Sequence, residues 1–128
     1  MSLTKNKSMA QHNKLGKKGE DAAAEFLADK NYVIKARNWR FGKLEIDIIA
    51  EHNNMIVFIE VKSRSSSHFE QPFEAVTKKK QKSIIKTAGA YIEKFVIELE
   101  ARFDIISIVE ENSKLEINHI EDAFYPLL

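Results

Sequence analysis

The chain contains no cysteine, so disulfides and thiolate metal sites are excluded. Histidine is sparse, and His12, His52, His68 and His119 fall at no helical ligand spacing, which argues against zinc. No apolar run approaches the ~20 residues that cross a bilayer, and the N-terminal stretch lacks the hydrophobic segment of a signal peptide. The expected location is therefore the cytoplasm, with no membrane partner. Internal repeats and low-complexity segments are missing as well.

What is present fits a folded unit: 128 residues, 44% hydrophobic and 30% charged, enough chain for one core. The expected organisation is a flexible basic N-terminal segment over residues 1–13 followed by a single domain over 14–128. The net charge of +1 conceals an asymmetry, because residues 1–95 carry a balance of +7 and residues 96–128 one of −6. A basic body favours an anionic partner such as nucleic acid. A merely solvated lysine-rich surface fits that balance equally well.

The most informative stretch runs from Leu44 to Lys62, L-E-I-D-I-I-A-E-H-N-N-M-I-V-F-I-E-V-K. Its arms are rich in Ile, Val and Phe, and the break at Asn53-Asn54 suits a two-residue hairpin turn. Strict alternation puts Glu45, Asp47 and Ile49 on one face and Leu44, Ile46, Ile48 and Ala50 on the other. If His52 faces Met55, Asp47 lies opposite Glu60 and Glu45 opposite Lys62. One face is then apolar, while the other gathers three acids and a lysine at the end far from the turn. The ordinary reading is a solvated strand face. Against it, Ile49, Ile56 and Phe58 share the acidic face and require cover. Two carboxylates about 5 Å apart repel by roughly 3 kcal/mol at an effective dielectric near 20, which calls for protonation or a cation. Oxygen ligands of this kind suit magnesium, with manganese as a substitute.

Elsewhere, Asn13 to Lys30 carries a helical pattern with Gly16, Glu20, Ala23, Ala24 and Leu27 on one stripe. Glu20 is either an acid near a helix start or a third group aimed at the carboxylates, and Gly16 and Gly19 would permit close approach. Tyr32 to Asn38 reads as a first strand, and Trp39 to Lys43 as a basic, aromatic connection. Arg37, Arg40 and Lys43 are candidate phosphate contacts, and Trp39 either stacks on a base or closes a core edge. The polar segment Ser63 to Pro72 reads as a mobile loop beside the site, and its Arg64 is a further candidate nucleic-acid contact. A helix is expected from Phe73 to Phe95 with an apolar stripe of Ile84, Ile85, Ala88, Ile92 and Phe95. Extending that stripe back meets Gln81, flanked by Lys78, Lys79, Lys80 and Lys82. Gln81 is placed to point toward the site with these lysines facing phosphate, Lys78, Lys79 and Lys82 foremost, unless they simply snorkel. Arg102 to Val109 and Leu115 to Ile120 read as strands around a turn at Glu111 to Ser113, with Asp104 structural.

With Asp on the second strand and Glu-x-Lys on the third, the order helix, three strands, helix, strand resembles the PD-(D/E)xK nuclease superfamily. More closely, G-K-K-G-E-D-A-A, E-I-D-I-I-A, I-E-V-K-S-R, F-E-A-V and K-K-Q-K resemble the YraN-like family over Leu15 to Val109. The resemblance implies an α/β fold, a restriction-endonuclease-like central mixed sheet flanked by helices with an α-β-β-β-α-β core. It implies Asp47 and Glu60 as metal ligands, Lys62 as catalytic lysine, Glu20 and Gln81 as auxiliary groups, and Glu45 as an extra acid, with Glu20 or Glu45 able to complete the metal shell. Leu44 stands where that family usually has glycine, and Ile46 where the superfamily has proline. The expected activity is Mg-dependent hydrolysis of nucleic acid, DNA foremost and branched substrates included, and related enzymes that need two sites leave a homodimer open. The alternative is a non-catalytic nucleic-acid-binding module on the same fold. An adaptor working through the acidic C-terminal third is a third, weaker alternative.

Overall fold

The computed structural model describes residues 2–65 and 76–126, with side chains from Lys14 onward. Helix α1 (Ser2–Asp29) precedes three antiparallel strands, β1 (Val33–Phe41), β2 (Leu44–His52) and β3 (Met55–Ser65). Helix α2 (Lys78–Lys94) then carries the chain over to β4 (Glu100–Glu111), which lies parallel to β3, and β5 (Lys114–Phe124) closes the sheet antiparallel to β4. The strand order β1-β2-β3-β4-β5 makes a five-stranded mixed sheet with one helix on each face. This is the expected α/β class. Residues 1–13, expected to be flexible, fall where side chains lie outside the described residues, and the loop 66–75 lies outside them entirely. Among the described residues no helix is long and apolar enough to cross a membrane.

Local chemistry sets the joints. Asn53 and Asn54 both adopt left-handed φ values, 50° and 61°, as a two-residue hairpin turn demands. The resulting register, His52↔Met55 through Ile48↔Ile59, is the one read from the sequence. Gly42, at φ 62°, turns the chain between Phe41 and Leu44. The expected connection Trp39 to Lys43 therefore shrinks to Gly42 and Lys43, because Trp39, Arg40 and Phe41 pair with β2. Thr77 caps α2, its Oγ1 accepting from the Lys80 amide at 3.1 Å. The helix thus begins at Lys78 rather than Phe73, since Val76 and Thr77 are extended or bent.

Each face of the sheet buries its own core. Ala23 and Leu27 of α1 pack on Ile48, Ala50, Val57, Ile59, Ile106 and Ile108. Gly19 lets α1 approach closely, for a Cβ there would overlap Ser63 Oγ, whereas Gly16 faces open space. On the other face, Ile84, Ala88 and Tyr91 of α2 meet Ile46, Ile49, Phe58, Phe103 and Ile105. The buried stripe of α2 is Ile84, Thr87, Ala88 and Tyr91, with Phe95 left 49% exposed. Trp39 closes the edge of this core, its ring 5.2 Å from Tyr91 at 89°, an arrangement aromatic quadrupoles favour.

The expected alternation of β2 fails at one level of the sheet. Ile46 packs on the α2 side and Ile48 on the α1 side, although they are two residues apart. In β1 the same switch occurs between Arg37, which bonds α1, and Trp39, which packs on α2. Between them sits Asn38 at φ 52°, a left-handed residue that swaps the faces of the strand. The pairs Arg37↔Ile48 and Trp39↔Ile46 bracket Asn38 and Asp47, so the break lies level with the candidate ligand.

Candidate active site

The β2–β3 ladder runs as far as Ile48↔Ile59 and then stops. Asp47 and Glu60 come next. At this point β2 turns toward β1, and the Val61 amide donates to Asp47 Oδ2 at 2.8 Å instead of to a backbone carbonyl. The carboxylate thus fills the fork between the strands, and its position is fixed by a bond the backbone would otherwise leave open. Glu60 projects on the α2 face, following Phe58 and reaching toward Lys80, and its carboxyl lies close enough to Asp47 for the two charges to repel. The expected convergence of these two acids is what the fold produces.

Glu60 is only 7% exposed, and its Oε2 has no hydrogen-bond partner among the described groups. Burial pushes its pKa up, and repulsion from Asp47 adds to this, bringing it to about 8 against the pull of Lys80 and Lys62. Lys80 Nζ lies 3.8 Å from Glu60 Oε2, beyond hydrogen-bond length. Lys62, two residues along the same strand face, is exposed and near enough for its charge to act on Glu60. A buried carboxylate oxygen without a donor, beside a second carboxylate and two ammonium groups, is what an oxygen-ligated divalent cation would satisfy. Asp47 and Glu60 fit magnesium in that respect. Among the described residues, however, no group of three or more His, Asp or Glu side chains is gathered.

The remaining candidates divide. Glu20 does not join the pair, because it sits on the α1 side, accepting from Arg37 Nη2 at 3.3 Å and from Asn38 Nδ2 at 3.1 Å. The guanidinium of Arg37, which also bonds Asp21 at 2.7 Å, offers Glu20 a nearer cation than a metal across the sheet. That engagement equally occupies Arg37 as a phosphate contact. Glu45 does not face Lys62, since the ladder has already ended; it pairs with Arg40 across β1 at 3.6 Å. Gln81 uses its Nε2 to hold the Val76 carbonyl at 3.1 Å and so ties down the entry to α2. Lys43 is exposed in the β1–β2 turn, and Lys78, Lys79 and Lys82 are exposed on the first turns of α2. Arg64 is half-buried at the end of β3.

Lys80, expected only as one of the lysines flanking Gln81, has a more particular place: it lies four residues before Ile84 and extends the buried stripe of α2 to Glu60. The helical phase was the available signal, and a stripe drawn through Ile85 and Ile92 obscured it.

Asp104 supplies the contrast. It is fully buried but accepts from Arg102 Nε and Nη2 (2.9 and 2.8 Å) and from the Asp122 amide (3.0 Å), with His119 Nε2 at 2.7 Å. Burial pushes its pKa up, yet the bonds from His119, Arg102 and Asp122 outweigh this and hold it below the usual value. This is the structural role expected of it.

Comparison with known proteins adds relatives. The model of the uncharacterised protein family UPF0102 matches residues 19–108. A UPF0102 protein of Phocaeicola vulgatus is 51% identical over 118 residues, covering 92% of this chain and 98% of the relative. One from Bacteroides thetaiotaomicron is 48% identical over 120 residues, covering 94% and 99%, and one from Flavobacterium psychrophilum 47% over 117, covering 91% and 98%.

Proposed function

This chain belongs to the protein family UPF0102, and on the geometry of its carboxylate pair we propose that it is a metal-dependent nuclease hydrolysing phosphodiester bonds in nucleic acid, with DNA the foremost substrate. The observation that carries this reading is Glu60 Oε2, buried and without a hydrogen-bond donor beside Asp47. When bound there, magnesium or manganese would supply Lewis-acid polarisation of a phosphoryl oxygen and a more acidic water. Asp47 and Glu60 would hold it, Asp47 from a position already fixed by the Val61 amide. Lys62, as an ammonium, would orient the attacking water and add positive charge where negative charge develops on the phosphate, the proton of the acidified water passing to solvent. Lys80 would release Glu60 as the ligands engage and turn its ammonium to the same phosphate. Glu20, Glu45 and Gln81 act at one remove, Glu20 by tying α1 to Arg37 and Asn38 of β1, Glu45 by pairing with Arg40, and Gln81 by holding the entry to α2.

The test is cleavage of branched, duplex and single-stranded DNA with magnesium or manganese. Asp47→Asn and Lys62→Ala should each lower the rate by about 100-fold or more, with the fold checked by circular dichroism. Asparagine is chosen because it can still accept the Val61 amide. Undiminished cleavage in both variants would refute the assignment. A second reading, a non-catalytic nucleic-acid-binding module, draws support from Glu20's engagement with Arg37 and from the lack of a third acid among the described residues. Tight binding without product under either metal would favour it.

A further inference from the structure

A cleft of about 460 Å³ runs between α2 and the end of β5. Ile85 and Phe124 form an apolar lining, and Lys78, Lys82 and Lys86 line it along α2. Tyr125 borders it from the other side and is 64% exposed. The three lysines recur every four residues, so they form a row on one helix flank with about 6 Å of rise between neighbours. No Asp or Glu is among the lining residues. Gln81 lines the cleft as well, and the residue before it, Lys80, reaches Glu60. The cleft therefore opens at the turn of α2 that borders the carboxylate pair.

A row of cations, an apolar lining and an accessible aromatic ring are together the surface an unpaired nucleic-acid strand uses. Its phosphates seek the cations, and its bases present π-faces that a duplex keeps stacked inside. A duplex would meet the lysines but could not use Tyr125. An acidic peptide would use the lysines and leave the ring without a stacking partner.

We propose that this cleft holds a single-stranded segment of nucleic acid adjoining the phosphate at Asp47 and Glu60, with one base stacked on Tyr125. The inference rests on the nucleic-acid part of the reading above, not on its hydrolytic part. It narrows the substrate to one with an unpaired arm.

The experiment is fluorescence anisotropy on the full chain, in chelator so that no cutting occurs, with dye-labelled oligothymidylate and with a blunt duplex. Tyr125→Ala should weaken oligothymidylate binding roughly 5- to 150-fold, the range for one stacked base. Tyr125→Phe should retain the affinity, and duplex binding should be unchanged in both. Lys82→Gln with Lys86→Gln should lower the slope of log affinity against log salt by about 1.4, two released counterions on a single strand. Parent-like oligothymidylate binding in Tyr125→Ala and in the lysine pair would overturn the proposal. So would equal losses on duplex, or displacement of the oligonucleotide by polyglutamate at equal charge. Cleavage is read separately through Lys62→Ala. A Tyr125-dependent strand with no product under any metal would leave this inference standing and remove the nuclease. Product formed by a protein whose Tyr125 variants bind as the parent does would do the reverse.

Discussion

Glu60 and Asp104 are both acids buried within one sheet, and their surroundings give them opposite consequences. Asp104 receives bonds from Arg102, His119 and a backbone amide, so its charged form belongs to the folded state. Glu60 has Asp47 beside it and one oxygen without a donor, so its charged form is unwelcome until a cation arrives. With a folded pKa of about 8 against an ordinary 4.5, Glu60 keeps its proton more tightly folded than unfolded. Its contribution to stability is therefore complete below about pH 4.5 and is lost as pH rises through about 8. Thermal melts in chelator should show the parent losing stability across that window, while Glu60→Gln loses none of it and melts higher at pH 8.5. Magnesium should recover the parent and leave the variant unchanged. A parent curve as flat as that of Glu60→Gln would mean the pair is already satisfied. Such a gain on removing a site group is the usual mark of a position kept for function at the expense of stability.

At the scale of elements, what the sequence disclosed is what periodic physics controls. Alternation and Asn53-Asn54 account for the hairpin and its register from His52↔Met55 to Ile48↔Ile59, because a one-residue slip would expose a whole core face. Asp47 meets Glu60 beyond that ladder, in the fork where the Val61 amide holds Asp47. The break at Asn38 was not legible from a period of two, since one left-handed residue reverses the faces without changing composition. Asparagine inside an otherwise Ile-, Trp- and Phe-bearing strand was the available hint, as it tolerates that conformation better than most residues. Glu20 was misplaced for a different reason: helical phase located it on the sheet side of α1 but could not say that Arg37 would claim it. At the start of α2 the periodicity alone runs through Thr77, whereas its side chain caps the helix there. If Asn38 sets the fork, Asn38→Val should cost about 1–2 kcal/mol through its left-handed strain, and Asn38→Gly should cost less despite losing the bond to Glu20. Denaturant unfolding of both variants measures this. Equal stability of Asn38→Val and the parent would show that β1 reaches its switch of faces in another way.

Across the whole molecule, the two helices divide the labour between the faces of the sheet. On the α1 side, Glu20, Asp21, Arg37 and Asn38 are engaged with one another. The α2 side brings Lys80 to Glu60 and lines the neighbouring cleft with three further lysines. Residues 96–128 carry a balance of −6 against +7 for the rest, but the four of them that line the cleft, Ala123, Phe124, Tyr125 and Pro126, are uncharged, so the lysines of α2 set its potential. The nuclease reading requires that Asp47 and Glu60 take up a divalent cation. Manganese titration followed by electron paramagnetic resonance at pH 8.5 tests that directly. The account predicts one saturable site per chain in the parent and none in Glu60→Gln. No saturable binding by the parent, or the same site in the variant, would contradict it.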